Sequence, residues 1–255
     1  MNKFYRIIPT LLLKDKGLVK TVNFKNPRYI GDPINVVRIF NEKEADEIAI
    51  LDIQANKNET EPDYNFIKDI VSEAFMPVGY GGGVKNLNQI EKLFEIGVEK
   101  VILNTVCYEN PSIIEESSNK FGSQSIVVCI DIQKNLFGRY NLFSQSGKKK
   151  QKELLFEYIK KVENLGAGEI IINSIDRDGS MAGYNLEILN KINKKTKLPV
   201  IALGGAGSKD HLIEAINEGV SGVAAGSLFI YQGIHKAILI SYINNENLFL
   251  QIESE

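Results

Sequence analysis

Short apolar runs alternate with amphipathic stretches along nearly the whole chain. Eight of these runs are rich in Ile, Val, Leu and Ala and have the length of a β-strand. Because their apolar positions are nearly continuous, they predict a parallel sheet that is buried on both faces. The predicted strands are Arg6–Leu13, Glu47–Ile53, Pro77–Gly81, Lys100–Asn104, Ser125–Asp131, Glu169–Ser174, Pro199–Leu203 and Gly222–Ala225.

Helical patterns fill the intervals between these strands. Asp32-Pro33 and Asn110-Pro111 each place a capping residue before a proline at the first helical position. Gly97, Gly166 and Gly219 stand where three of the helices are expected to end, because glycine readily adopts the left-handed conformation of a C-cap. The predicted helices cover residues 33–45, 62–74, 86–97, 110–120, 152–165, 185–194, 208–218 and 234–243.

Eight strand–helix units in 255 residues match the size of a (β/α)8 TIM barrel. A doubly wound open sheet is the structural alternative. No flexible linker interrupts the pattern, so residues 1–255 are expected to form a single domain.

An internal repeat favours the barrel. Ala45–Ile48 matches Ala167–Ile170, and Gly82-Gly83 matches Gly204-Gly205 at the same offset of 122 residues. One such match could be a coincidence, but several at one offset indicate a duplicated unit of four strands and four helices. The chain is therefore expected to contain two half-barrels, about 1–122 and 123–255.

Composition narrows the class of protein. Apolar residues make up 44% and charged residues 24% of the chain, which are ordinary values for a globular protein. A net charge of −2 gives no overall attraction to nucleic acid or to an anionic membrane. We find no apolar run of membrane-spanning length and no signal-peptide pattern, so a cytoplasmic protein without a membrane or nucleic-acid partner is expected. With two cysteines and two histidines, no disulfide framework, metal site or cofactor is expected.

Glycine-rich turns follow several predicted strands, at the end where a (β/α)8 barrel carries its active site. Gly204-Gly205-Ala206-Gly207 and Gly226-Ser227 follow the last two strands, where free backbone N–H groups favour a phosphate. The repeat places Gly82-Gly83 and Asn104-Thr105 at corresponding positions, so a second phosphate site is expected there. The alternative is that these glycines only form tight turns.

Three aspartates and one lysine are candidates for acid–base and binding chemistry. Asp131 ends an apolar strand, where a carboxylate has no packing value and must face the mouth of the barrel or find a donor. Asp178 lies in Asp176-Arg177-Asp178-Gly179, which is either a site loop or a simple Asx-type turn. Asp52 ends the second strand and could bind a ligand hydroxyl or orient Lys20.

Charged residues begin four of the predicted strands, at the end opposite the mouth. Arg6, Glu47, Lys100 and Glu169 carry two charges of each sign, and two of them are related by the repeat. They could form a charged ring that closes the bottom of the barrel. The alternative is that each of these charges is simply solvated.

Together these residues resemble the cyclase subunit of imidazole glycerol phosphate synthase, HisF. The resemblance extends over nearly the whole chain and keeps the order of the motifs. The matching stretches are Arg6–Pro9, Gly17–Phe24, Gly31–Pro33, Ala45–Glu47, Gly81–Gly83, Asn104-Thr105, Ser146–Lys148, Gly166–Glu169, Ser174–Gly179 and Gly204–Gly207.

The resemblance implies a (β/α)8 barrel with a HisH-like glutaminase docked on its N-terminal face. Ammonia would pass through the barrel to a bisphosphorylated substrate at the mouth, for a lyase–cyclisation that yields imidazole glycerol phosphate. It makes the four bottom charges an ammonia gate and Asp131 one of two catalytic aspartates. The residues that fall at or near the two phosphate sites are Gly83, Asn104 and Thr105 for one, and Gly179, Gly205, Ala225, Gly226 and Ser227 for the other.

The chain departs from this family at the second catalytic aspartate. The family's first-strand motif ends in Cys-Leu-Asp, whereas this chain reads Thr10-Leu11-Leu12. Leucine cannot transfer protons, and losing a positioned acid–base group typically costs about 10²–10⁴ in rate. The chain therefore resembles the divergent HisF-like paralogues, whose ammonia is associated with amidino-sugar formation in surface-polysaccharide synthesis.

Four functions remain open from the sequence. The first is a divergent ammonia-using barrel that acts on a phosphorylated sugar-type substrate. The second is a working histidine-pathway cyclase in which another group replaces the missing aspartate. The third is a non-catalytic barrel that carries ammonia to another protein, and the fourth is the related isomerase without a glutaminase.

Overall fold

Eight parallel strands close into a barrel in the computed structural model, which describes residues 4–55 and 60–249. Each strand pairs with the next in chain order, and the eighth pairs with the first, so the sheet has no open edge. The predicted TIM barrel is confirmed, and the open sheet is excluded. The barrel strands are β1 (Arg6–Lys14), β2 (Ile48–Asp52), β3 (Val78–Gly81), β4 (Lys100–Leu103), β5 (Ile126–Lys134), β6 (Glu169–Ser174), β7 (Val200–Leu203) and β8 (Gly222–Ala225).

Seven helices of eight or more residues pack around the barrel in the described part of the chain. The Asp32 side chain accepts a hydrogen bond from the Asn35 N–H at 2.9 Å, as expected for an N-cap before a proline. None of these helices is long and apolar enough to span a membrane. They are α1 (Pro33–Glu42), α2 (Tyr64–Val71), α3 (Leu87–Glu95), α4 (Ser112–Phe121), α5 (Leu155–Asn164), α6 (Leu186–Asn193) and α7 (Lys209–Asn217).

The helix predicted at 234–243 is wrong. This segment contributes to a two-stranded hairpin of Tyr231–Gln232 and Ala237–Ile238 and then continues as extended chain. The N–H groups of Leu239 and Ser241 each donate to a preceding backbone carbonyl at 2.9 Å. Four isoleucines fall between residues 234 and 243, and β-branched side chains favour extended backbone over helix. The last barrel unit is therefore closed by short elements, which include the helices Ser227–Ile230 and Asn245–Phe249.

Two β-hairpins that the sequence analysis did not predict extend the barrel on the mouth side. The first continues β1 through the strands Gly17–Val22 and Lys25–Gly31. The second continues β5 through Tyr140–Ser144 and Lys149–Lys150. They follow β1 and β5, so walls rise beside the mouth after two strands that are four apart in the barrel order.

The barrel interior is arranged in three layers from bottom to mouth. Alternate residues of a strand face the same side, and in β6 these are Glu169, Ile171 and Asn173. In β4 the same alternation places Lys100 at the bottom and Ile102 in the middle. The apolar layer between the bottom and the mouth is a cluster of buried apolar side chains and one thiol, of which Ile102, Cys129 and Leu203 also border the mouth cavity. Its residues are Ile8, Ala49, Ile102, Val127, Cys129, Ile171, Ile201, Leu203 and Ala224.

Candidate active site

The candidate active site is a cavity at the C-terminal ends of the barrel strands. Its volume is about 1230 Å³, counting the space that is open to solvent. The sequence-predicted residues that line it are Leu12, Lys20, Asp52, Gly83, Asn104, Thr105, Asp131, Asp178, Gly179, Gly204, Gly205, Gly226 and Ser227.

Asp131 lines this cavity at the C-terminal half of β5. It is only 6% exposed, and two amide side chains hold its carboxyl group. Asn173 Nδ2 donates to Oδ1 at 3.0 Å, and Asn104 Nδ2 donates to Oδ2 at 3.2 Å. Cys129 Sγ lies 3.8 Å from Oδ1. The carboxyl group is therefore fixed in direction while it still borders the cavity.

Burial raises the pKa of Asp131 to about 7. The amide hydrogen bond from Asn173 opposes this rise because it favours the carboxylate, and the negative charge of Asp178 adds to it. A carboxyl group that titrates near neutrality can both donate and accept a proton in the physiological range. Asp131 thus has the position and the pKa of a general acid–base group.

The first half of the barrel has an apolar pair where the second half has this polar one. Leu12 pairs with Leu51 across β1 and β2, at the register where Asp131 pairs with Asn173 across β5 and β6. Both leucines line the cavity. At this register the second half of the barrel therefore presents a carboxyl group and an amide, whereas the repeat-related pair is apolar.

Lys20 places a buried amine at the mouth beside the eighth strand. Its Nζ donates to the Thr10 carbonyl at 2.7 Å, and a Cβ added at Gly226 would collide with Nζ. Burial lowers the pKa of Lys20 to about 8, although the negative charge of Asp178 partly offsets this effect. Two N–H donors of the ammonium group are left for a ligand near Gly226 and Ser227.

Asp178 fastens the first hairpin over the cavity. Its Oδ2 accepts from the Thr21 hydroxyl at 2.7 Å and from the Phe24 N–H at 3.2 Å. The Asn23 N–H also donates to the Asp178 carbonyl at 3.0 Å. Burial raises the pKa of Asp178, whereas the bond from Thr21 lowers it. Asp178 is therefore a contact between two mouth loops, which goes beyond a simple turn.

Asp52 does not orient Lys20 within the described part of the chain. Its Oδ1 accepts from the backbone N–H groups of Gln54 and Ala55 at 2.8 and 3.0 Å. Burial raises the pKa of Asp52, and these two bonds oppose the rise. Asp52 shapes the loop after β2, and it also borders the cavity.

Glycine is required at the predicted phosphate turns by their backbone conformation and by neighbouring protein atoms. Gly83 has a φ of 71°, and a Cβ there would lie 2.8 Å from the Ala55 Cβ. Gly205 has a φ of 117°, and a Cβ there would collide with the Gly183 carbonyl. The Thr105 hydroxyl, beside the first turn, accepts from the Gln145 N–H at 3.1 Å. Both turns open into the cavity, so each could present N–H groups to an anion.

The four charged residues at the bottom of the barrel do form a ring. Arg6 contacts both Glu47, at 3.0 Å, and Glu169. Lys100 Nζ lies 2.8 Å from Glu47 Oε2 and 3.6 Å from Glu169 Oε1. Burial alone would lower the pKa of Arg6, but the hydrogen bonds and charges of the two glutamates raise it overall. The ring balances its charges and closes the apolar interior from below.

The sequence analysis did not single out three polar residues that line the mouth: Thr21, Ser146 and Asn173. A weak signal for Asn173 was present, because it stands two residues after Ile171 and four after Glu169 on an alternating inward face. Thr21 depended on the first hairpin, which the apolar pattern did not reveal.

Comparison with known proteins agrees with this geometry. The family model described as histidine biosynthesis protein matches residues 6–236. A provisionally named imidazole glycerol phosphate synthase subunit HisF from Leptospira borgpetersenii is 53% identical over 241 residues, which cover 94% of this chain and 95% of that protein.

Two further relatives come from other bacteria. A provisionally named imidazole glycerol phosphate synthase subunit hisF2 from Pseudomonas aeruginosa is 50% identical over 238 residues, which cover 93% of this chain and 95% of that protein. Imidazole glycerol phosphate synthase subunit HisF from Hydrogenobaculum sp. is 38% identical over 248 residues, which cover 97% of this chain and 98% of that protein. The chain therefore belongs to the histidine biosynthesis protein family, as a HisF-like paralogue.

Proposed function

We propose that this barrel is a HisF-type subunit that uses ammonia from a glutaminase partner to act on a phosphorylated, sugar-type substrate. The observation that carries the proposal is the order of three features along the barrel axis, from the bottom to the mouth. A charged ring closes the bottom, an apolar layer follows, and a buried carboxyl group stands at the mouth. A route and an acceptor site for a small neutral nucleophile share one axis.

The apolar layer suits ammonia and excludes ammonium, because burying an unpaired charge costs far more than burying a small neutral molecule. In this proposal the ring admits ammonia when its ion pairs separate. Asp131 then moves a proton to or from the substrate as ammonia adds. Its carboxyl group is already fixed by Asn104 and Asn173, so little reorganisation is needed.

The two glycine turns would hold phosphate groups at opposite sides of the mouth. Lys20 would neutralise the phosphate beside Gly226 and Ser227, since its amine is buried next to that turn. The Asn104-Thr105 turn and Gly83 would take the other. Asp178 would act by fastening the first hairpin over the bound substrate.

The apolar Leu12–Leu51 pair is the reason for proposing a divergent reaction. A lyase–cyclisation that relies on two acid–base groups would lack one of them here. We therefore place this chain with the paralogues that use ammonia in amidino-sugar formation for surface-polysaccharide synthesis. A histidine-pathway cyclase is the second candidate, because a HisF relative is 38% identical along nearly the whole chain.

Exposed aromatic side chains on the N-terminal face support a glutaminase docking site there. Phe75 is 91% exposed in the loop before β3, and Phe4 is 66% exposed before β1. We expect Phe75→Asp to weaken binding of a HisH-type glutaminase by at least tenfold, because interface anchors are often aromatic and desolvated. Titration calorimetry of the two purified proteins measures this affinity.

Phe137→Asp is the matched control for this prediction. Phe137 is 89% exposed, but it lies at the tip of the second hairpin, on the mouth side. The same substitution there should leave glutaminase affinity within about twofold. Equal losses from both variants, or a loss only from Phe137→Asp, would contradict docking on the N-terminal face.

Lys20 predicts a pH dependence for phosphate binding. Its pKa of about 8 in the free protein lies below the ordinary value, so the buried amine loses its proton as pH rises from 7 to 9. The affinity for inorganic phosphate should fall severalfold over this range, and in Lys20→Met it should be weak and nearly flat. Calorimetry at constant ionic strength measures both curves.

Lys148→Met is the control for Lys20, because Lys148 is exposed in the loop of the second hairpin. This variant should keep the pH dependence of the unaltered protein. If Lys20→Met showed the same fall in affinity between pH 7 and 9, another group would be responsible and the assignment of Lys20 would be wrong.

A further inference from the structure

The amide oxygen of Asn173 is a buried acceptor without a donor in the described part of the chain. Asn173 is 6% exposed and lines the cavity, and its Nδ2 is used by Asp131. A buried polar atom without a partner costs folding free energy, because it has lost its hydrogen bonds to water. Such a cost at a cavity wall indicates that a ligand supplies the missing donor.

Asn104 shows why Asn173 is different. Both side chains donate Nδ2 to the Asp131 carboxyl group, from opposite sides. The Oδ1 of Asn104, however, accepts from the Thr105 hydroxyl at 3.4 Å. The other buried polar atoms without partners in the described residues lie outside the cavity lining: Tyr64 Oη, Tyr108 Oη, Ser118 Oγ and Tyr158 Oη.

The position of Asn173 identifies the ligand. It pairs with Asp131 on one side and with Leu203 on the other, at the upper boundary of the barrel interior. Ile171, two residues earlier on the same face, belongs to the apolar layer. A small molecule that rises through that layer would meet Asn173 Oδ1 beside the Asp131 carboxyl group. Ammonia has N–H groups for both acceptors and keeps its lone pair free.

We propose that Asn173 Oδ1 accepts an N–H group of the incoming ammonia and, with Asp131, orients its lone pair toward the substrate. This inference rests on the proposed use of ammonia and adds a binding residue to it. Asn173 would thereby make two hydrogen bonds at once. It donates to the acid–base group and accepts from the nucleophile.

Nuclear magnetic resonance of the ¹⁵N-labelled full chain tests this without any second substrate. Ammonium chloride is titrated near the pKa of ammonium, with sodium chloride at equal ionic strength as the reference. The Asn173 side-chain NH₂ signal is assigned by its loss in Asn173→Leu. In the unaltered protein we expect saturable shifts of this signal and of backbone amides around Asp131, with ammonium chloride only.

Asn173→Leu and Asn104→Leu form the matched pair, since each removes one donor to Asp131 but only the first removes the free acceptor. Asn104→Leu also removes a 2.9 Å bond to the Cys129 carbonyl, so it is the more disruptive of the two for the hydrogen bonds around Asp131. The backbone shifts should need on the order of three- to tenfold more ammonium chloride in Asn173→Leu, as for one lost hydrogen bond. They should stay within twofold in Asn104→Leu. If Asn173→Leu fails to fold, Asn173→Ala replaces it.

Three outcomes would overturn the inference: no saturable shift in the unaltered protein, an unchanged response in the Asn173 variant, or equal weakening in both variants. The last would assign the effect to Asp131 alone. Failure of the proposed function is read separately, as absence of nitrogen transfer in a turnover assay. The titration and the turnover assay together therefore distinguish ammonia binding without turnover from turnover without this binding site.

Discussion

Asp131→Asn is expected to lower ammonia-dependent turnover by about 10²–10⁴, the usual effect of losing a positioned acid–base group. The amide keeps the shape of the carboxyl group, but it accepts through one oxygen only, so it keeps the hydrogen bond from Asn104 or from Asn173 and not both. It cannot move a proton. The rate is measured with saturating ammonium chloride in a Leu12→Asp background, where the bisphosphorylated formimino ribotide can serve as substrate.

Asp46→Asn is the control for this result. Burial also raises the pKa of Asp46, but its Oδ2 accepts from the Ile7 N–H at 3.0 Å, near the bottom of the barrel. This variant should keep turnover within about threefold. An Asp131→Asn enzyme that turned over as fast as the Asp46→Asn enzyme would exclude Asp131 as the acid–base group.

Asp131→Asn should also increase the free energy of unfolding above neutral pH. The folded pKa of Asp131, about 7, lies above the unfolded value of about 3.9. The unfolded chain therefore releases this proton first as pH rises, and the stabilisation present below about pH 4 is lost by about pH 7. The loss is on the order of 4 kcal/mol.

Asn does not ionise, so Asp131→Asn should escape this loss. Its melting temperature should exceed that of the unaltered protein at pH 8, and the difference should shrink toward pH 5. Thermal melts of both proteins at the two pH values measure it. A difference that grew toward pH 5 would have the wrong sign for a buried carboxyl group with a raised pKa.

The barrel could be predicted from the sequence because its signals are local. Continuous apolar runs identified the strands, and the prediction that Gly97, Gly166 and Gly219 end helices agrees with φ values of 99°, 88° and 90°. The strands and helix ends need only period and spacing. The bottom ring was one of two interpretations of the charges that begin strands, and the family resemblance favoured it over solvated charges.

The elements that escaped prediction depend on long-range pairing. Lys25–Gly31 is largely exposed, so it has no apolar pattern and becomes a strand only by pairing with Gly17–Val22. The segment 234–243 has enough apolar residues for a helix, but β-branched side chains and tertiary hydrogen bonds keep it extended.

The residues of the candidate site also divide into those with a local sequence signal and those placed by long-range pairing. That Asp131 would face the mouth followed from its place at the end of an apolar strand. The hydrogen-bond partner of Lys20 could not be predicted, because the hairpin places Lys20 at the Thr10 carbonyl and away from Asp52. Asn173 was hidden because one polar residue at the end of an isoleucine run also fits a simple strand end.

Leu12→Asp is expected to raise formation of imidazole glycerol phosphate by at least a hundredfold over the unaltered chain. Leu12 occupies the repeat-related position of Asp131 and borders the cavity, so a carboxyl group there would face the substrate. Two acid–base groups would then flank the mouth. The expected gain corresponds to the lower part of the range for one such group.

We propose that this barrel uses ammonia at its mouth and has one acid–base group, Asp131, where a cyclase of the resembled kind has two. A direct cyclase assay tests it, with bisphosphorylated formimino ribotide and saturating ammonium chloride, so that no glutaminase is needed. Leu12→Ala is run beside Leu12→Asp to separate the carboxyl group from the added space. We expect product well above background from Leu12→Asp alone. Robust turnover by the unaltered chain, not exceeded by Leu12→Asp, would contradict the account and make the protein a histidine-pathway cyclase.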